Sequence, residues 1–284
     1  MLLTLLGCGV NAQVTLNSST AVSASPKGDY LSVSIIWAAG LALGVWVSGG
    51  ISGGHCNPVV TLALAIFRDF SWKKVPWYLI GQFFGAWLGA LLVYANYFHA
   101  IDLFEGGKGI RTTPGTASFF GVYTPDYLPA ANAFFDEFIG TFILVLVIFA
   151  VTDKRNNPPP SGLVPLAIFV TLLGIAGAFG SQTGFALNPA RDLGPRIMTS
   201  MVGYGHAVYN YRSQFWLWCP LLGPVAGGLT AAFIYDALLF VGAESWMNRR
   251  NASARRFHAQ AVLTERENAP AGRMTDLALA TGIV

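Results

Sequence analysis

The chain has 284 residues, 54% hydrophobic and 11% charged, with a mean hydropathy of +0.52 and a formal net charge of +3. Soluble domains carry about 25% charged residues, so the composition excludes an ordinary soluble enzyme and describes an all-α integral membrane protein. The small net charge offers no footprint for nucleic acid, and Cys8, Cys56 and Cys219 are too scattered for a metal site or a disulfide framework. Residues 1–16 are apolar but short of the ~20 needed to span a bilayer, and read as a first helix whose start is missing. A Ser/Thr-rich loop follows at 17–29, with an Asn17-Ser18-Ser19 sequon whose use is left open. A second span is expected at 30–50, a half-helix from Pro58 to about Phe67, a charged turn at Arg68, Asp69, Lys73 and Lys74, and a third span at 76–98. That span carries a small-residue stripe, Gly81, Gly85 and Gly89, suited to close helix approach, with Gln82 beside it as interhelical glue. After a long loop at 99–131, further spans are expected at 132–152, 162–180 and 214–241, with a second half-helix from Pro189 to about Met201.

Two stretches echo one another. Gly53-Gly54-His55-Cys56-Asn57-Pro58-Val59 and Gly184-Phe185-Ala186-Leu187-Asn188-Pro189-Ala190-Arg191-Asp192 each run from a loop through Asn-Pro into apolar sequence. Asn is a favoured helix cap and Pro fits the first helical turn, so each reads as a helix start. Both lie deep in hydrophobic sequence, where irregular backbone must be buried in protein or line a watery cavity. A matched pair in two halves points to an inverted repeat around a permeation site. The halves are expected at 1–131 and 132–241, with a cytoplasmic tail at 242–284. Arg68, Lys73, Lys74, Lys154, Arg155 and the tail residues Arg249, Arg250, Arg255 and Arg256 fall on one side, which positive-inside bias makes cytoplasmic together with both chain ends. Opposed half-helix N-termini, each worth about +0.5 of an elementary charge, repel cations. The amides of Asn57 and Asn188 can donate to a passing oxygen and interrupt a proton wire.

With these motifs the sequence resembles the major intrinsic proteins, or aquaporins, as far as about residue 241. The resemblance implies six transmembrane helices, two re-entrant half-helices and a homotetramer with one pore per subunit in a lipid bilayer, the plasma membrane being the expected one. Asp192 directly after Arg191 is similar to the glycerol-conducting branch, whose outer selectivity filter would fall on Trp37, Ala176, Phe185 and Arg191. It further implies carbonyl acceptors on Gly53, Gly54 and His55 and around 180–184, with His55 bracing its loop. Glu137 would hold the second loop, although its counterpart in the first helix is missing. Val59 departs from the family's usual alanine, which implies a mild change of constriction. Cys56 is expected to line the inner vestibule and to be open to thiol reagents, and Ser253 is a weak modification candidate. The expected activity is passive passage of glycerol, water and other small neutral solutes, without metal, cofactor or reaction. The alternatives are a water-selective channel and an inverted-repeat secondary transporter.

Overall fold

The structure is a computed structural model that describes residues 1–242. The tail expected at 242–284, its four arginines and Ser253 therefore lie outside the described residues, apart from Gly242 itself. The main helices are α1 (Leu2–Leu16), α2 (Tyr30–Ser52), α3 (Pro58–Phe67), α4 (Val75–Phe104), α5 (Ala130–Thr152), α6 (Val164–Thr183) and α7 (Pro189–Thr199). Two short helices, α8 (Ala207–Asn210) and α9 (Phe215–Trp218), precede α10 (Leu222–Leu238). Five segments are long and apolar enough to cross a membrane: α2, α4, α5, Ser161–Thr183 and Phe215–Leu238. The 15 residues of α1 form a shorter apolar helix.

The packing has two-fold character. Helix α1 lies against α2 and α4, and α5 lies against α6 and α10. Half-helix α3 packs on α10, the last span of the other half, while α7 packs on α4. Helices α2 and α6 meet across the middle. Exchanging the halves therefore maps this pattern onto itself, which is the inverted repeat expected from the paired motifs.

Glycine permits the closest crossings. At Gly194 an added Cβ would lie 2.8 Å from both the Ala86 Cβ and the Phe83 carbonyl oxygen, so α7 and α4 touch backbone to backbone. Of the predicted stripe, Gly85 and Gly89 face α1, whereas Gly81 has open space beside it. The third helix is longer than expected, running to Phe104, and folds the start of the 99–131 loop back on itself: Arg111 donates to Asp102 at 2.8 Å and to the Tyr94 hydroxyl. That loop then makes a 3-10 turn, Thr116–Phe119, and buries Phe119 and Phe120 in the core. The sixth span is not one helix. Pro220 has no N–H and its ring clashes with the preceding turn, so α9 stops at Trp218 and α10 begins at Leu222.

Candidate functional site

The two Asn-Pro loops have nearly the same backbone. Helices α2 and α6 end on left-handed glycines, Gly53 (φ 79°) and Gly184 (φ 84°). Gly54 (φ 63°) corresponds to Phe185 (φ 41°), and Cys56 (φ 50°) to Leu187 (φ 52°). Asn57 and Asn188 then share φ −154° in extended conformation, and Pro58 and Pro189 open the half-helices. Left-handed conformation disfavours side chains with a Cβ, so three non-glycine residues held there mark loops kept in shape by their surroundings.

Each asparagine does two jobs. The Asn57 Oδ1 accepts from the Val59 N–H at 2.9 Å, and the Asn188 Oδ1 accepts from the Ala190 and Arg191 N–H groups at 3.0 and 3.2 Å. These are helix caps. Each Nδ2 also reaches into the opposite half: Asn57 donates to the Leu187 carbonyl and Asn188 to the Cys56 carbonyl, both at 2.8 Å. The acceptor is in each case the residue preceding the other asparagine. The two half-helix tips are thus clasped reciprocally, and each amide keeps a second N–H for another oxygen.

An axial cavity of about 150 Å³ runs past this clasp. Its polar wall includes Gly53, Gly54, His55, Asn57, Asn188 and Arg191, and its apolar wall includes Leu41, Val45, Leu144, Ile168 and Leu172. A wider outer cavity of about 460 Å³ lies beyond it. Trp37, Phe185 and Arg191 border both cavities, and so mark the boundary between them. The Trp37 and Phe185 rings meet edge to face with centroids 6.3 Å apart, and the Arg191 guanidinium sits 4.0 Å from the Trp37 ring centroid. Cation–π attraction orients the arginine there. Its Nε and Nη1 are buried and find no hydrogen-bond partner among the described residues.

Three residues that sequence reasoning missed hold this boundary. The Asn11 Oδ1 accepts from the Trp37 indole N–H at 3.1 Å while its amide donates to the Phe119 carbonyl, tying α1, α2 and the long loop together. The Thr183 hydroxyl lies 2.6 Å from a carboxylate oxygen of both Asp136 and Glu137, with one hydrogen to share between them. Arg196 pairs with Asp192 through Nε at 2.8 Å and Nη2 at 2.9 Å, and donates to the carbonyls of Val122 and Val208. Asp192 also accepts from the Val122 N–H at 2.8 Å. Asp192 therefore stands behind the cavity wall and pins the long loop over its mouth. The i, i+4 spacing of Asp192 and Arg196 was a readable signal for that pair.

The two loops are braced differently. Fully buried Glu137 accepts from the Ala186 N–H at 2.9 Å and the Leu187 N–H at 2.7 Å, so α5 holds the second loop. The first loop is held through His55, whose Nδ1 lies 3.1 Å from the Thr61 hydroxyl, and through Gln82, which donates to the same hydroxyl at 2.9 Å. Tyr78 adds a bond to the Ser52 carbonyl and packs its ring on His55. His55 and Gln82 thus both serve as braces.

Three expectations are corrected. Ala176 is fully buried and borders neither cavity, because the Tyr30 hydroxyl crosses to its carbonyl and Gly180 takes the neighbouring stretch of wall. Val59 faces α10 rather than the cavity: it fills the space over Gly228, where an added Cβ would collide with it, so its extra bulk narrows nothing. Gly228→Ala is expected to destabilise the protein by about 1–3 kcal/mol through overpacking, with Val59→Ala restoring most of the loss. Thermal unfolding in detergent of both single variants and the double variant checks this. Cys56 borders a separate lateral cavity beside α1, α2 and α4 and is absent from the axial wall, since its left-handed backbone turns the side chain aside.

The family model for the major intrinsic proteins matches residues 1–235. The chain belongs to the major intrinsic protein family. Members of this family are passive channels in membranes. Aquaporin-6 of Laccaria bicolor is 50% identical over 247 residues, covering 87% of this chain and 79% of the relative. The aquaglycerol porin AQY3 of Saccharomyces cerevisiae is 45% identical over 248 residues, covering 87% of this chain but 37% of that protein. The crystal structure of the aquaglyceroporin from Plasmodium falciparum superposes with a TM-score of 0.71 at 27% identity, covering 84% of this chain and 92% of that one. The major intrinsic protein fold, with its half-helices and inverted repeat, is therefore the fold of this chain.

Proposed function

We propose that this channel conducts glycerol and other small uncharged solutes together with water, and excludes protons and ions. The observation that carries the reading is the Arg191 guanidinium at the boundary of the two cavities, set against the aromatic corner of Trp37 and Phe185. A polyol has a carbon edge and a hydroxyl edge. The rings suit the first, and the planar guanidinium fork suits adjacent oxygens of the second. Trp37, Phe185 and Arg191 act as the selectivity filter, while Gly53, Gly54 and His55 contribute acceptors deeper in. The name of AQY3 and the Plasmodium structure support the glycerol reading by likeness.

The channel works as a homotetramer in the plasma membrane with both ends cytoplasmic, and residues 1–131 and 132–241 form its two repeats. Stopped-flow light scattering of proteoliposomes in an inward glycerol gradient is the test. Shrinkage followed by re-swelling is expected, whereas shrinkage without re-swelling means a water-selective channel. Glycerol flux that depends on an imposed proton gradient means a coupled transporter instead.

A further inference from the structure

Tyr30 is the first residue of α2, and its position is firmly set. Asp29 caps the helix by accepting from the Ser32 N–H at 3.0 Å, while the Ser32 hydroxyl accepts from the Asp29 N–H at 3.2 Å. From this turn the phenol reaches across to α6 and donates to the Ala176 carbonyl at 3.0 Å. An added Cβ at Gly180 would collide with the Tyr30 hydroxyl and would lie 2.6 Å from the Phe185 ring. The hydroxyl and the ring thus converge over one bare spot on α6, and the glycine there makes room for both. Tyr30 is 47% exposed and borders the outer cavity together with Trp37, Phe185 and Arg191.

We propose that Tyr30 is a specificity-determining residue of this channel, presenting a hydrogen-bond acceptor to hydroxylated solutes as they reach the Arg191 boundary. The inference rests on the glycerol reading above and extends it. The chemistry follows from the hydrogens. The single hydroxyl hydrogen of Tyr30 is committed to Ala176, so toward the cavity the oxygen offers only lone pairs. Arg191 offers only donors. A solute hydroxyl both donates and accepts, and adjacent hydroxyls on one carbon chain satisfy both groups as water is stripped away. A small-residue wall without Tyr30 would leave the donating hydrogens of the solute unmatched in the outer cavity.

Tyr30→Phe keeps the ring and removes the hydroxyl, both the acceptor and the bond to the Ala176 carbonyl. Full-length protein in proteoliposomes is assayed for glycerol and water permeability by stopped flow. The ratio of glycerol to water permeability is expected to fall about three- to tenfold, the range for one neutral hydrogen bond lost at a desolvated site. An unchanged ratio overturns the assignment, whether both fluxes persist or fall together, because a purely structural hydroxyl lowers both alike. If the unaltered channel itself passes no glycerol, the proposed function fails and this assignment fails with it. A glycerol-permeable channel with an unchanged ratio in the variant overturns the role of Tyr30 alone.

Discussion

Arg191→Val is expected to raise proton and small-cation leak by about ten- to a hundredfold. A fixed positive charge about 4 Å from a passing cation raises its energy by about 4 kcal/mol at an effective dielectric constant near 20. Water in the pore screens part of this, and the two half-helix N-termini, about half a charge each, stay in place. The barrier is therefore lowered rather than abolished. Among the described residues the guanidinium forms no ion pair with a carboxylate, and Asp192 is paired with Arg196 instead. A pH-sensitive dye trapped in proteoliposomes measures the leak, and a rate equal to that of the parent channel would refute the arginine barrier. Arg191→Lys separates charge from geometry. It keeps leak low but loses the planar fork, so glycerol loses ground against water.

Glu137→Leu is expected to abolish flux and to lower stability by about 2–6 kcal/mol. The carboxylate is fully buried and satisfies two backbone N–H groups and the Thr183 hydroxyl. A leucine of similar volume leaves the two N–H donors unsatisfied, at about 1–3 kcal/mol each, while Thr183 keeps Asp136 as acceptor. The donors at Ala186 and Leu187 belong to the loop that supplies a carbonyl to the Asn57 amide. Loss of the brace therefore reaches the pore centre directly. Glu137→Gln, which keeps one acceptor oxygen, loses less and retains part of the flux. Detergent melting curves and flux per reconstituted protein check both variants. A leucine variant that melts and conducts like the parent would show that the brace is dispensable.

Much of this was readable before any coordinates. Asn-Pro pairs at the ends of small-residue loops carry their own local geometry, since capping by asparagine and the fixed φ of proline act within a few residues. The placement of α3 and α7 followed from that, and the inverted repeat followed from their recurrence. Spans were legible because bilayer thickness sets helix length. What stayed hidden depends on partners distant in sequence. Ala176 was assigned by counting from Phe185, and counting cannot see that Tyr30 crosses over it from another helix. The space that accepts Val59 exists because Gly228 lies on α10. Asn11 looked like one polar residue in an apolar run, and only the fold brings Trp37 and Phe119 to it. The break in the last span was legible in Pro220, but hydropathy alone masks a proline inside an apolar stretch.

The reciprocal bonds of Asn57 and Asn188 have a consequence for how this pore can be opened and shut. Each half holds the other's loop by its last carbonyl before the turn, so neither tip can swing without releasing its twin. A valve at mid-depth would require breaking both links together. The waist therefore behaves as a fixed gauge, its calibre set by ties that come from both halves.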